Sequence, residues 1–201
     1  MLDRYASALI KPAVSRLARV LARAGLKADQ VTWAGFAVGL VAFILIANRL
    51  YWAGATAIIL SRILDALDGA VARQSQPTDR GGFLDIALDF LFYASIPLAF
   101  ALAEPARNAL AAAVLLAAFM GTSTIFLAFA VLAAKRGLHS AAYPDKSFYF
   151  LGGLTEATET LTCFIAMCLW PQHFAVLAYI FSALCAVTIA TRLWWGWHTF
   201  S

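Results

Sequence analysis

The sequence predicts an all-α integral membrane protein, with an N-terminal helix in the membrane interface followed by six transmembrane helices. Of its 201 residues, 63% are hydrophobic and only 13% are charged, whereas a soluble domain has about half and about a quarter. Lipid must therefore solvate much of this chain. Because no linker or low-complexity tract divides it, we expect one membrane domain over residues 1–201, made of an interfacial helix (1–26) and a six-helix bundle (27–201).

Residues 2–24 have the periodicity of an amphipathic helix. Apolar side chains recur at steps of three and four residues, and a separate stripe contains Lys11, Arg19 and Arg23. A cationic amphipathic helix of this kind is typical of the interface of an anionic leaflet. Pro12 predicts a kink, or the start of a second helical half.

Six apolar segments come next, each close to the roughly 20 residues that cross a bilayer. They lie near residues 31–50, 52–72, 81–102, 108–134, 148–169 and 172–196. Most basic residues precede the first segment or lie between the second and third and between the fourth and fifth. Since basic residues stay on the cytoplasmic side, we expect both termini and the loop after the second segment to face the cytoplasm. Topology thus explains the net charge of +4 without a nucleic-acid partner.

Four aspartates stand out in this apolar chain. Asp65 and Asp68 are three residues apart at the end of the second segment, and Asp85 and Asp89 are four apart at the matching end of the third. Each spacing puts a pair on one helix face, and the intervening turn brings the two faces together. Four close carboxylates do not all stay ionised unless cations neutralise them. Two divalent ions would balance the charge, and a ligand set of oxygen atoms selects Mg²⁺ or Mn²⁺.

The alternative interpretation of the aspartates is a hydrogen-bond network between helices, which would need donors that the motif mostly lacks. The neighbouring residues favour a diphosphate-bearing substrate instead; they are Gly69, Ala72, Arg73, Thr78 and Gly81. The first two remove bulk beside Asp68. Arg73 lies about 80° round the helix from Asp65, so it is expected to border the same cavity and to bind phosphate. Thr78 offers a further hydrogen bond, and Gly81 allows a close helix start.

The sequence DALDGAVAR at 65–73, followed by GGFLDIALD at 81–89, resembles the signature of the CDP-alcohol phosphotransferases (CDP-alcohol phosphatidyltransferases). Seven residues separate the two halves between Arg73 and Gly81, where the family has eight. LKADQVT at 26–32 resembles a second family element, with Ala28 in place of the usual proline. FLGGLTEATET at 150–160 resembles a bacterial inner-membrane branch of the family.

The resemblance implies a multi-pass enzyme of the bacterial inner membrane with its active site facing the cytoplasm. The enzyme would move a phosphatidyl group from CDP-diacylglycerol to a small polar alcohol, release CMP, use two Mg²⁺ or Mn²⁺ ions and form a homodimer. By resemblance, the metal ligands are Asp65, Asp68, Asp85 and Asp89, the last of which is also the general base. The implied contacts to the CDP donor are Asp29, Gly69, Ala72, Arg73, Thr78 and Gly81.

Two sets of residues are candidates for binding the acceptor alcohol. Lys135, Arg136 and Lys146 form a basic rim suited to a phosphorylated acceptor such as glycerol 3-phosphate, but flanking residues of membrane spans produce the same pattern. Glu156 and Glu159 fall within the predicted fifth span. There they either line the acceptor pocket or form hydrogen bonds with a neighbouring helix.

Two other functions are compatible with parts of the sequence. A related enzyme would transfer a group from a CDP-linked small alcohol to a lipid hydroxyl. A divalent-cation transporter also holds acids between helices, but it has no need for Gly69, Ala72 and Arg73, and an arginine beside the path opposes cation uptake. A membrane prenyltransferase uses differently spaced aspartates. Release of CMP distinguishes the CDP-dependent enzymes from the transporter and from the prenyltransferase.

Overall fold

Every regular element in the described part of the chain is a helix. The structure is a computed structural model that describes residues 3–74, 78–138 and 153–201, with side chains from residue 11 onward. The α-helices in these ranges are α1 (Asp3–Arg23), α2 (Ala28–Ala47), α3 (Tyr51–Ala72), α4 (Asp79–Ala103), α5 (Pro105–Lys135), α6 (Ala157–Leu169) and α7 (Phe174–Phe200). A 3-10 turn, Pro171–His173, joins the last two. The predicted all-α class is confirmed for these residues.

Four helical segments of the described chain are long and apolar enough to cross a bilayer. They are α2, α4, α5 and the stretch Pro171–Phe200. The helix α3 has 22 residues, roughly 33 Å at 1.5 Å per residue, but it carries Arg62, Asp65 and Asp68. The helix α6 has only 13 residues. Crossing of the bilayer by α3 and α6, and the orientation of both termini, therefore stay predictions.

The N-terminal helix α1 packs onto α3. Ala18 is fully buried against Ala70 and Val71, while Leu17 and Val20 are exposed on α1. The helix α1 does not restart at Pro12, because it is one continuous helix through this proline. A kink at Pro12 stays a prediction, since an interior proline removes one backbone N–H donor and crowds the carbonyl four residues earlier. The buried side of α1 places this helix directly beneath the end of α3 that bears the aspartates.

Two glycines of α2 allow this helix to approach α3 and α4 closely. A Cβ atom on Gly35 would lie 3.2 Å from Leu64 Cβ, and one on Gly39 would lie 2.8 Å from Phe92 Cδ2. At the same crossing, the Ser61 hydroxyl donates a hydrogen bond of 2.8 Å to the Gly35 carbonyl oxygen. The helix α2 therefore fixes the relative position of the two helices that carry the aspartates.

Stacked aromatic rings tie α3, α4 and α7 together at the end of the bundle away from the aspartates. The Phe100 ring stacks on Tyr51, with centroids 5.6 Å apart, and on Phe174, with centroids 4.6 Å apart. Near this stack, Arg49 Nε donates to the Ala103 carbonyl at 3.0 Å, and buried Asn108 donates to the Phe100 carbonyl at 3.0 Å. Rings and buried hydrogen bonds together make this end the best-anchored part of the core.

The sixth helix differs most from its prediction. The fifth span was predicted to begin near residue 148, but residues 153–156 are not helical and α6 begins at Ala157. The reason is local: the Glu159 carboxylate accepts a hydrogen bond of 3.2 Å from the Glu156 backbone N–H, which caps the helix start. A glutamate three residues into a helix commonly satisfies this free N–H group.

Candidate active site

Three of the four predicted aspartates meet where α3 ends and α4 begins. Carboxylate oxygens of Asp65, Asp68 and Asp85 all lie within 4.8 Å of one another. The prediction that the two helix faces come together is confirmed for these three residues. Two of them come from the last two turns of α3, and Asp85 comes from the second turn of α4, so the antiparallel arrangement of α3 and α4, as positioned by α2, brings them together.

The three carboxylates fit a hard divalent cation. Asp68 is buried, and its Oδ2 atom has no hydrogen-bond partner among the described residues. A buried carboxylate oxygen without a donor is costly unless a cation lies beside it. Because the ligand atoms are all carboxylate oxygens, the site suits Mg²⁺ or Mn²⁺.

Asp89 is held by an arginine instead of joining this group. Arg62 Nη1 lies 2.5 Å from Asp89 Oδ1 and 3.3 Å from Asp65 Oδ1. The expectation that the aspartates lack donor partners is therefore wrong for Asp89 and Asp65. The missing donor comes from α3 itself, one helical turn before Asp65.

A small cavity of about 10 Å³ opens between α2, α3 and α4. Its size is close to that of one water molecule or one ion. The lining residues are Thr32, Gly35, Phe36, Arg62, Asp65, Asp85, Leu88 and Asp89. Three of the four aspartates thus line this cavity, and Asp65, one of the three, belongs to the cation-binding group and also contacts Arg62.

Arg62 is not among the site residues that the sequence predicted. The signal that would identify it is a single cation within an apolar helix, three residues before an aspartate of the motif. Intramembrane charges pair with one another. Its partner Asp89 lies on another helix, and only the packing of α3 and α4 reveals that contact.

The predicted donor-binding residues fall into two places. Asp29, Thr78 and Gly81 lie together: a Cβ atom on Gly81 would be 3.2 Å from Thr78 Oγ1 and 3.4 Å from Asp29 Oδ1. Thr78 is the N-cap of α4, where its oxygen accepts from the Gly81 N–H at 3.1 Å. Asp29 Oδ2 forms an ion pair of 2.5 Å with Arg80, whose side chain is 75% exposed. That salt bridge is open to water and weak.

The other donor candidates are at the end of α3. The helix ends at Ala72, and Arg73 follows as an exposed C-cap residue. Its Nη1 atom lies 3.4 Å from the position of a Cβ on Gly69, so the arginine folds back over that glycine. Arg73 does not line the small cavity, contrary to prediction, because eight residues of helix carry it roughly 12 Å along the axis from Asp65. It borders the outer side of the site instead.

The predicted acceptor residues that the structure describes make separate contacts. Arg136 donates hydrogen bonds to the carbonyl oxygens of Thr199 and Phe200, at 3.3 and 2.8 Å, and so ties α5 to the end of α7. Lys135 is exposed in the last turn of α5. Lys146 lies outside the described residues.

Glu156 and Glu159 sit at the start of α6 and not along a polar face inside it. Glu156 is buried, and its Oε1 atom accepts from the Gly153 N–H at 2.9 Å. Its charge acts on Arg192, a buried residue of α7 that donates to the Thr122 carbonyl at 3.2 Å. Arg192 is a second buried arginine that the sequence did not predict as part of the site.

Comparison with known proteins identifies the family of the chain. The sequence profile of the CDP-alcohol phosphatidyltransferase family matches residues 26–194. The chain is 52% identical, over 99% of its length and 97% of the relative's, to Inner membrane protein YnjF of Escherichia coli. It is also 41% identical over 83 residues to Archaetidylinositol phosphate synthase of Methanothermobacter thermautotrophicus, covering 40% of this chain and 43% of that protein.

The fold is shared with a solved enzyme, Mycobacterium tuberculosis phosphatidylinositol phosphate synthase (PgsA1). The structure of that enzyme with CDP-DAG bound has a TM-score of 0.74 to this chain at 24% identity, over 92% of this chain and 93% of the other. A second structure of PgsA1 contains manganese and citrate, with a TM-score of 0.71 over 92% and 88% of the two chains. The match across most of the sequence establishes that the chain belongs to the CDP-alcohol phosphatidyltransferase family.

Proposed function

We propose that the protein transfers a phosphatidyl group from CDP-diacylglycerol to a small polar alcohol, with release of CMP, in the inner membrane. The observation that carries the proposal is the meeting of Asp65, Asp68 and Asp85 around a buried oxygen without a donor, in a chain of this family. The bound CDP-DAG of PgsA1 and the membrane location in the name of YnjF support the donor and the compartment.

Divalent cations supply the electrostatic part of the proposed reaction. Mg²⁺ or Mn²⁺ ions held by Asp65, Asp68, Asp85 and Asp89 would offset negative charge on the diphosphate. The acceptor hydroxyl attacks the phosphorus of the phosphatidyl group, the bond from this phosphorus to the CMP oxygen breaks, and CMP leaves. We assign the hydroxyl proton to Asp89, whose side chain is 30% exposed beside the cavity and is therefore within reach of a substrate.

The proposed donor contacts are the two groups described above. Asp29, Thr78 and Gly81 face one another where α2 and α4 begin, and α4 presents its free N–H groups there, which favours anionic ligands. Gly69 and Ala72 leave room beside the aspartates. Arg73 is exposed over this floor, where its guanidinium can bind a phosphate in bidentate fashion.

For the acceptor we propose a phosphorylated small alcohol of the glycerol 3-phosphate kind. Cationic Lys135, Arg136 and Lys146 and the polar pair Glu156 and Glu159 are the proposed contacts. The names of the archaeal relative and of PgsA1 add an inositol phosphate to the acceptors worth testing. We further propose a homodimer whose active site and termini face the cytoplasm, on the distribution of basic residues and the family resemblance.

The test is release of CMP by purified protein supplied with CDP-diacylglycerol, Mg²⁺ or Mn²⁺ and one alcohol at a time. The alcohols are glycerol 3-phosphate, inositol 1-phosphate, inositol, glycerol and serine. Metal-dependent release with one of them identifies the reaction and the product, and the Asp65→Asn variant serves as the inactive control. Activity only with a CDP-linked small alcohol and a lipid hydroxyl would mean that the small alcohol, and not the diacylglycerol, is carried by the CDP donor. Metal flux into vesicles without CMP release would favour the divalent-cation transporter over the enzyme.

A further inference from the structure

Arg62 occupies a position between two of the carboxylates that the proposed reaction assigns to metal ions. Its Nη1 atom lies 2.5 Å from Asp89 Oδ1 and 3.3 Å from Asp65 Oδ1. Asp65 is also one of the three residues whose oxygens lie within 4.8 Å of one another. One carboxylate, Asp65, is therefore shared between the arginine and the cation-binding group.

The guanidinium group is fixed in this position by its surroundings. Its central carbon lies 3.9 Å from the centroid of the Phe92 ring, and Nη2 donates to Ser61 Oγ at 3.2 Å. The side chain is only 12% exposed, so water does not replace these contacts. Phe92 is itself buried in the core. Arg62 is thus a built-in cation of the site and not a mobile surface residue.

A metal ion and a guanidinium N–H group compete for the same carboxylate lone pairs. Resting on the proposed function, we propose that Arg62 competes with the second divalent ion for Asp65 and Asp89. The two ions then bind in order: the first to Asp65, Asp68 and Asp85, and the second only as Arg62 gives up Asp89. The site would differ in this respect from one in which both ions bind to free carboxylates.

Charge counting supports the order of binding. The four carboxylates and Arg62, with one divalent ion, carry a single net negative charge, whereas a second ion makes the group net positive. The first ion thus meets a net charge of −3 and the second only −1, so the second ion is attracted more weakly until an anionic ligand arrives. A diphosphate brings such charge and also offers Arg62 an alternative partner. We accordingly expect the donor to strengthen binding of the second ion.

The experiment is a titration of Mn²⁺ into purified protein, with free Mn²⁺ and the spin-coupled two-manganese signal measured by electron paramagnetic resonance. Wild type is expected to bind one ion tightly and the second at least about tenfold more weakly, a factor typical of losing one charge-assisted hydrogen bond. In the Arg62→Gln variant the second ion should bind about tenfold or more tightly than in wild type, and the coupled signal should appear at lower Mn²⁺. Two ions of equal affinity in wild type, or an unchanged second ion in Arg62→Gln, would overturn the proposal.

Arg80→Gln is the matched control. It removes the same positive charge from an arginine whose ion-pair partner is Asp29 and not one of the four aspartates, so the second ion should bind as in wild type. If Arg62→Gln does not fold, Arg62→Lys replaces it. The lysine keeps the charge but has a single nitrogen, which cannot contact both carboxylates and Ser61 Oγ as the guanidinium does, and a second ion no tighter than in wild type would again overturn the proposal.

Failure of this inference is distinguishable from failure of the proposed function. If the wild-type protein neither binds Mn²⁺ nor releases CMP, the proposed metal centre is wrong, and the inference about Arg62 is wrong with it. If the wild-type protein releases CMP and binds Mn²⁺, but Arg62→Gln leaves the affinity of the second ion unchanged, only the role proposed for Arg62 is wrong.

Discussion

The contact between Gly39 and Phe92 gives a prediction that links packing to the site. In Gly39→Ala the new methyl carbon would lie 2.8 Å from Phe92 Cδ2, about 0.7 Å or more inside the usual carbon–carbon contact. Phe92 is only 1% exposed, so its ring has little room to move. Overpacking of this kind costs about 1–3 kcal/mol. Because Arg62 lies on the same ring, the strain should also disturb its contact with Asp89.

The matched substitution is Gly82→Ala, whose methyl carbon meets nothing within 4 Å. Both replacements gain similar helix propensity, so the difference between them isolates the steric cost. The free energy of unfolding, measured by denaturant titration in detergent, should be about 1–3 kcal/mol lower for Gly39→Ala than for Gly82→Ala. Two variants of equal stability would refute the close packing of α2 against Phe92, and with it our explanation of how Arg62 is held.

Four further predictions concern the site and the start of α6. Asp89→Asn should abolish CMP release while CDP-diacylglycerol still binds, because the variant loses the proposed proton acceptor and one proposed ligand of the second ion; turnover near the wild-type rate would remove the general-base assignment. Asp68→Asn should weaken binding of the first Mn²⁺ ion by more than about tenfold, measured by the same spectroscopic titration, and an unchanged affinity would exclude Asp68 as a ligand. Glu159→Ala should lower the free energy of unfolding by about 1 kcal/mol, whereas Glu159→Gln, which keeps an acceptor for the Glu156 N–H, should not. The double change Glu156→Gln and Glu159→Gln should raise the KM of the acceptor without changing donor affinity, because the pair is proposed to contact the acceptor. An unchanged KM would mean that the two glutamates only cap the helix.

The parts of the fold that follow from local patterns were predictable from the sequence. The amphipathic repeat placed the first helix at 2–24, and the structure has Asp3–Arg23; the apolar run at 108–134 corresponds to Pro105–Lys135. The start of α6 was predicted too early because the hydrophobicity of a segment does not show where a capping hydrogen bond begins the helix. Only the hydrogen bond between Glu159 and the backbone of Glu156 defines where this helix begins.

The aspartate cluster was predictable in part, and the reason lies in helix geometry. Spacings of three and four residues specify a face within one helix, so Asp65 and Asp68 were expected together. The partner of Asp89 depends on how α3 turns against α4, and that rotation is set by contacts of Gly35 and Gly39 in a third helix. No pattern within a single segment carries that information, so the contact between Arg62 and Asp89 could not be predicted, although the position of Arg62 three residues before Asp65 was visible.

One end of the bundle stabilises the fold, and the other end carries the aspartates. Aromatic stacking of Phe100 on Tyr51 and Phe174, together with the hydrogen bonds of Arg49 and Asn108, anchors the helices at the end away from the aspartates. Mutations near the aspartates therefore leave the main anchor of the fold intact. Substitutions in the candidate site are thus separated along the bundle from the contacts that anchor its other end.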